Sequence, residues 1–197
     1  MKYLYLICLS ASAIFFVNCK GKPAKVVTPK NTVDTVPYFS ITGFLDGEIK
    51  DVQQAPYYLY EITSGNNKRD SAAISKEEFA RLANEFVKRD ISKPGTKENY
   101  KEDIFRDATT QSVTLTYSAL NKSSEIQGVD VLLDETTNKV KRIFIRTMVE
   151  QGDSIIAINY NWKAGKSFLI NRSVIKRDNS TNSIQRYVNW DDAVKEK

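Results

Sequence analysis

The chain contains no histidine, and this absence excludes several kinds of active site. Serine and cysteine nucleophile systems that rely on an imidazole as general base are not possible, and neither are zinc sites built on histidine. Cysteine is also scarce, with Cys8 and Cys19 as the only two. Catalysis would therefore have to use carboxylates, lysine or tyrosine, and we expect no metal and no cofactor.

Acidic residues are missing from the first 30 positions, and this accounts for the net charge of +5. The lysines in that segment are Lys2, Lys20, Lys22, Lys25 and Lys30. The remaining residues, 31–197, contain 24 cations and 24 anions. Nucleic-acid binding depends on clustered positive charge that neutralises phosphates. A body without net charge therefore argues against a nucleic-acid partner.

A long apolar run occurs at the N-terminus, from Tyr3 to Val17, and follows a single cation, Lys2. This arrangement is typical of a secretory signal peptide. A membrane-spanning helix needs about 18 or more apolar residues, and Asn18 and Lys20 end this run earlier. We therefore predict that residues 1–18 are a signal peptide and are removed.

The run ends in Phe16-Val17-Asn18-Cys19, which resembles the lipobox of bacterial lipoproteins, in particular the looser boxes of Bacteroidota lipoproteins. Phe16 stands where leucine is commonest, and Asn18 where glycine, alanine or serine is usual. The resemblance implies cleavage before Cys19, a diacylglycerol on its sulfur and a lipid anchor in the cell envelope. The alternative is that Cys19 lies by chance near an ordinary signal-peptidase site. Processing would leave a sole thiol and thus no intramolecular disulfide.

Residues 19–37 contain three prolines and few bulky apolar side chains, which predicts an extended tether. Its four lysines would lie among lipid headgroups next to an acylated Cys19. No acidic residue follows directly after Cys19, as it does in some surface-exported Bacteroidota lipoproteins, so the resemblance implies a periplasm-facing anchor. Residues 38–197 are long enough to form a single domain with its own core.

Two segments have apolar residues at helical spacing. In residues 74–91 the apolar stripe begins after a capping box formed by Ser75 and Glu78. Residues 40–54 show a second stripe that follows a potential N-cap at Ser40. Both segments are therefore predicted to be helices that bury one face.

The rest of the chain has the two-residue period of strands. A hairpin is predicted around Ser64 to Asn67, and five strand-like runs follow later through short polar turns. These runs cover residues 112–120, 128–134, 139–149, 154–162 and 167–175. Short links favour antiparallel neighbours. We therefore predict an α+β fold, with two helices and a hairpin packed on a meander of about five strands. A half-open barrel wrapped around a helix is the alternative.

Polar side chains alternate with apolar ones in the last three of these runs, which predicts that one face of the sheet is exposed to water. The polar residues are Arg142, Arg146, Asn159, Asn161 and Arg172. The helices would then pack on the opposite face.

Paired carboxylates remain a route to hydrolysis, because glycosidase chemistry needs only two acids about 5 to 10 Å apart. The visible pairs are Glu77-Glu78 and Asp191-Asp192. Adjacent side chains diverge on a helix or a strand, so both pairs are interpreted as surface residues. Gly165-Lys166-Ser167 resembles the end of a phosphate-binding loop. However, Tyr160 occupies the position of the first glycine of that motif, and the segment joins two predicted strands where the motif joins a strand to a helix. It is interpreted as a hairpin turn.

Aromatic residues indicate a possible binding surface. Tyr57, Tyr58 and Tyr60 crowd one predicted strand, and Tyr160 and Trp162 share one face of another. Core packing is the default explanation for such residues. An exposed strip that binds a sugar, a peptide or a protein partner is the alternative.

Together these features predict a lipid-anchored, non-enzymatic protein of the bacterial cell envelope that binds a partner or supports an assembly. The expected partners are the membrane, through an acylated Cys19, and an envelope protein or a hydrophobic ligand. Two alternatives stay open. One is a periplasmic carrier, since a curved meander closed by helices would hold an acyl chain; the other is a carboxylate-dependent hydrolase.

Overall fold

The computed structural model describes residues 38–190, which form two helices and one antiparallel sheet of nine strands. The predicted signal peptide, Cys19, the tether and Asp191-Asp192 lie outside the described residues. The helices are α1 (Ile41–Gln54) and α2 (Lys76–Val87). The strands are β1 (Tyr60–Gly65), β2 (Lys68–Ala73), β3 (Tyr100–Asp107), β4 (Ser112–Ala119), β5 (Ile126–Asp134), β6 (Val140–Gln151), β7 (Ser154–Lys163), β8 (Ser167–Lys176) and β9 (Thr181–Asn189).

Both helices begin at the predicted serine caps. The Ser40 hydroxyl accepts a hydrogen bond from the Gly43 N–H at 3.1 Å, and the Ser75 hydroxyl accepts one from the Glu78 N–H at 3.2 Å. Such caps satisfy N–H groups that have no partner within the helix. The Glu78 carboxylate binds Arg81 and a strand residue, Arg186. The N-terminus of α2 is therefore capped by Ser75 and is also linked to the sheet by the ion pair between Glu78 and Arg186.

The strand order along the sheet is β2-β1-β9-β8-β7-β6-β5-β4-β3. The five predicted strands are β4 to β8, and each pairs antiparallel with its neighbours in the chain. The predicted hairpin is also confirmed, with a tight turn at Asn66 and Asn67, which both have positive φ. An α+β fold with an antiparallel sheet is thus confirmed.

The predicted number of strands was too small, because β3 and β9 were missed. β3 is an edge strand with five charged residues among its eight, so its apolar period is weak. The first five residues of β9 are exposed on both faces and show no alternation. The hairpin was also placed wrongly, because β1 pairs with β9 and so extends the sheet instead of packing on it.

The core lies between the helices and one face of the sheet, which we call the inner face. Its centre is an aromatic cluster of Phe79 and Phe86 from α2, Trp162 and Phe168 from the sheet, and Trp190. All five side chains are at most 1% exposed, and neighbouring ring centroids are 5.1 to 6.3 Å apart. These distances are those of edge and offset ring contacts. Aromatic burial of this extent supplies much of the stability of the domain.

A buried carboxylate connects the start of α1 to the segment after α2. Asp90 is 5% exposed and accepts hydrogen bonds from the Thr42 N–H at 3.0 Å and the Ser92 N–H at 2.9 Å. Burial alone would raise the pKa of Asp90, but these hydrogen bonds favour the ionised form and lower the pKa below its usual value. The negative charge also lies at the N-terminus of α1, where the helix dipole stabilises an anion.

Candidate binding site

The five aromatic residues proposed as a surface do not lie together. Tyr160 and Trp162 are fully buried beneath α2. The interpretation of these two residues as core residues therefore holds, and they are not part of an exposed binding strip. Tyr57 and Tyr58 are 37% and 52% exposed, and the ring of Tyr60 lies 6.4 Å from that of Tyr58. Of the five residues, only the tyrosines before and at the start of β1 are accessible to a partner.

The outer face of the sheet is polar, as predicted for Arg142, Arg146, Asn159 and Asn161. Directly opposed residues of neighbouring strands share a face. Arg146 stands opposite Asn159, and Asn159 stands opposite Asn171. Arg172 is the next residue along β8 and stands opposite Ile158, so it projects from the inner face. The prediction for Arg172 was therefore wrong, because the register between β7 and β8 is not visible in either strand alone.

Two adjoining depressions on the outer face bring several cations together. They have volumes of about 500 and about 230 Å³ and share Arg142 and Lys163 as lining residues. The first is also lined by Phe144 and the second by Leu169 and Tyr187. We call this joined recess the basic groove; Lys141 and Lys166 complete its cationic rim.

The positive charge of the basic groove is only partly neutralised within the domain. Lys141 pairs with Asp134 at 3.1 Å. The pKa of Asp134 is lowered to about 2, mainly by the hydrogen bond from the Thr137 N–H and next by the hydrogen bond from Lys141. Arg142 lies over the ring of Phe144, 5.5 Å from its centroid. Within residues 38–190, Arg142 and Lys163 form no ion pair. These two cations are available to an anionic partner.

A helix on the other side of the sheet holds the turn that carries Lys163. The Glu48 carboxylate of α1 accepts hydrogen bonds from the Gly165 N–H at 2.6 Å and from the Trp162 indole N–H at 3.2 Å. Gly165 has a φ of +66°, which glycine adopts without strain. The phosphate-loop likeness is thus a hairpin turn, as interpreted from the sequence. Glu48 was missed because nothing in its sequence neighbourhood indicates a contact with β7.

Two carboxylates that are distant in sequence meet on the inner side, but an arginine lies between them. Arg186 of β9 binds Glu61 of β1 and Glu78 of α2, with Nη2–Oε distances of 3.1 and 3.2 Å. The hydrogen bond from Arg81 lowers the pKa of Glu78 most strongly. Partial burial opposes this effect, and the hydrogen bond from Arg186 adds to it, so that the pKa of Glu78 is about 2. A carboxyl group that stays ionised at neutral pH is no general acid. This cluster is an ion-pair network, and sequence reasoning missed it.

In the described part of the chain, no group of three or more acidic or cysteine residues is arranged to hold a metal ion.

Comparison with known proteins gives no match. No family model, curated protein or solved structure resembles the chain. Among residues 38–190, neither helix has the length and apolar content needed to span a membrane.

Proposed function

We propose that this protein is a lipid-anchored component of the bacterial cell envelope whose domain binds an acidic, partly apolar segment of a partner protein in the basic groove. The observation that carries this proposal is a pair of cations, Arg142 and Lys163, that form no ion pair within residues 38–190 and lie beside Phe144 and Leu169 on the outer face. Arginine and aromatic side chains are enriched in protein interfaces. Complementary charge would direct the encounter with an acidic partner.

The shape of the basic groove favours a segment of a macromolecule over a small ligand. Small-molecule sites enclose most of the ligand surface in one concave pocket. The basic groove consists of two adjoining depressions on the face of a sheet and is bordered by strands β5 to β9. An extended acidic segment with one or two apolar side chains would contact the cations and both depressions at once.

A non-enzymatic role agrees with the composition and with the carboxylate geometry. The chain has no histidine to act as general base. Glu61 and Glu78, which the fold brings together, are both bound by Arg186. The hydrolase alternative therefore has no acid and base pair among these residues.

The carrier alternative is less well supported, because buried aromatic rings occupy the centre of the space between helices and sheet. The aromatic cluster occupies the centre of the inner face, with ring centroids as close as 5.1 Å. Protein interiors at this density leave few voids larger than a water molecule. An acyl chain would have to displace these rings in order to bind there.

The lipid anchor is tested by intact mass spectrometry of the protein extracted from its host's membranes. We expect a mass that matches residues 19–197 plus acyl chains on Cys19. A Cys19→Ser variant should lose the acyl mass and leave the membrane fraction. An unmodified mature chain, or one that starts at another residue, would contradict the anchor without affecting the groove.

The basic groove is tested by photo-crosslinking in the host envelope. A benzoyl-phenylalanine in place of Phe144 should crosslink to a partner protein. The charge reversals Arg142→Glu and Lys163→Glu, combined, should abolish this adduct. A matched control, Lys176→Glu with Arg177→Glu at the β8–β9 turn, should leave it intact. An adduct that survives the groove reversals would show that the positive charge is not what the partner recognises.

A further inference from the structure

Strand β3 forms one edge of the sheet and exposes two large apolar side chains. Ile104 is 53% exposed and Phe105 is 65% exposed. Folded proteins usually protect such edges, because unpaired backbone N–H and C=O groups together with apolar side chains invite another strand. The edge of β3 is therefore a candidate surface for strand addition.

The hydrogen bonds of β3 show which of its residues face the open edge. The Leu120 N–H donates to the Asn99 carbonyl at 2.9 Å, just before β3 begins. Backbone groups alternate in direction along an antiparallel strand, so those of Lys101 and every second residue after it point to β4. The groups of Glu102, Ile104 and Arg106 then point outward. The Tyr100 carbonyl fits this alternation, since it accepts a hydrogen bond from the Tyr38 hydroxyl instead of from β4.

The charges of β3 are complementary to those of a second copy of the same strand. If two copies pair antiparallel with Ile104 opposite Ile104, then Glu102 stands opposite Arg106 and Lys101 opposite Asp107. Two-fold symmetry repeats each pair, and each pair joins opposite charges on one face of the sheet. The residues with outward backbone groups are also the ones that face each other in this register.

Neighbouring registers place like charges together. Centring the pair on Asp103 puts two aspartates opposite each other, and centring it on Phe105 puts Asp103 opposite Asp107. Like charges directly opposite are destabilising in a sheet. In the registers that lie between these, even-numbered residues of one copy stand opposite odd-numbered residues of the other. The outward backbone groups of the two strands would then not meet, and the hydrogen bonds between them would be lost. The register centred on Ile104 therefore satisfies both hydrogen bonding and charge.

Two side chains of β3 are only partly engaged within the described domain, where the Glu102 carboxylate interacts with the Tyr117 hydroxyl. One oxygen of the Glu102 carboxylate is buried and has no hydrogen-bond partner there. Arg106 has a side chain 75% exposed, and its contact with Glu135 is long, at 3.9 Å. In the register centred on Ile104, Arg106 of the second copy would stand opposite Glu102 and pair with its negative charge.

We propose that β3 is a homodimerisation edge, at which two copies of the chain join their sheets through antiparallel β3–β3 pairing centred on Ile104. The interface is small, since eight residues per copy is well below the roughly 20 to 30 residues of a standard interface. The dimer is therefore weak and depends on concentration. Confinement of both copies to one membrane by a lipid anchor would favour it.

The first test uses charge reversal in the mature chain, residues 19–197 with Cys19→Ser, studied by sedimentation equilibrium. Arg106→Glu and Glu102→Arg should each abolish the dimer, because each creates like-charge pairs. A mixture of the two variants should restore it as a heterodimer, since every 102–106 pair then joins opposite charges. Failure of the mixture to associate, with both variants folded by circular dichroism, would overturn the proposal.

The second test uses a single introduced thiol, because Cys19→Ser leaves the mature chain without cysteine. Opposed residues of a hydrogen-bonded pair lie about 5.5 Å apart between Cα atoms, which is within disulfide range. Mild oxidation should therefore crosslink Ile104→Cys efficiently. The control Ala72→Cys on the opposite edge strand, β2, should crosslink poorly. Equal crosslinking at both positions would mean random collision, and so would contradict a specific β3 interface.

Discussion

The two faces of the sheet differ in what covers them and in what their side chains do. The inner face is covered by α1 and α2, and its largest residues, such as Trp162 and Phe168, are almost fully buried. Neither of the two described helices covers the outer face, which carries Arg142, Asn161 and Lys163 around open depressions. Alternate residues of the same strands thus serve two purposes. Inner residues stabilise the fold, and outer residues are free to contact a partner.

The largest expected effect is the loss of an aromatic ring from the inner face. Phe86 is fully buried, with its ring centroid 5.2 Å from those of Tyr160 and Trp162. Phe86→Ala should lower the free energy of unfolding by about 3 to 5 kcal/mol, because it removes buried apolar surface and leaves a cavity. Urea denaturation measures this loss. Phe144→Ala on the outer face is the matched control, and a similar loss there would break the distinction between the faces.

A smaller effect is expected from the carboxylate that joins the two helices. Asp90→Ala should cost about 1 to 3 kcal/mol, because the N–H groups of Thr42 and Ser92 lose their acceptor. The lowered pKa of Asp90 gives the effect a pH dependence. Its stabilisation is present at neutral pH, above the unfolded-state pKa, and is lost as the pH falls through the lower folded-state pKa.

Urea unfolding at several pH values checks this dependence. The difference in stability between the native chain and Asp90→Ala should be constant near neutral pH and should shrink in acid. The exposed residue Asp153 offers a control, since Asp153→Ala should show little effect at any pH. A difference that grows on acidification would contradict the assigned ionisation.

The ion-pair network beside the core should contribute less. Arg186→Ala should lower the free energy of unfolding by about 1 to 2 kcal/mol, because Glu61 and Glu78 would be left close together without the cation between them. The pKa of Glu78 should also rise from about 2, as followed by carboxyl NMR titration. The double variant Arg186→Ala with Glu61→Gln should recover part of the stability. No recovery would show that packing of the Arg186 stem dominates.

The smallest effect on stability is expected on the outer face. Arg142→Ala should change the free energy of unfolding by no more than about 0.5 kcal/mol, because the side chain makes no ion pair in the described domain. The same substitution should weaken binding of the acidic partner, measured as loss of the Phe144-site crosslink. A substantial loss of stability would mean that the outer face also supports the fold.

Most local structure was predictable because its signals are local. The caps at Ser40 and Ser75, the turn at Asn66 and Asn67 and the five strands from β4 to β8 follow from short-range hydrogen bonding and from side-chain period. Each feature depends on residues a few positions apart. Such patterns do not depend on where the rest of the chain lies.

The candidate site was less predictable because it combines strands whose register cannot be seen in one segment. Arg142 and Lys163 are polar residues of two strands, and only their direct opposition across β6 and β7 places them in one groove. Arg172 was assigned to the wrong face for the same reason. Its neighbour Asn171 stands opposite Asn159 on the outer face, so Arg172, one residue further along β8, projects from the inner face. Tyr160 and Trp162 were open to two interpretations until α2 was found above them.

The sequence by itself determined the class of the fold, both helices, seven of the nine strands (the hairpin of β1 and β2 and the run from β4 to β8) and the absence of histidine-based chemistry. Only the tertiary structure decided that β1 pairs with β9, that Arg186 separates Glu61 from Glu78, and that β3 is left as an exposed edge. These features join residues more than 100 positions apart or depend on β3 having a described neighbour, β4, on one side only. Their energies come from burial and pairing across the whole domain, which no local pattern contains.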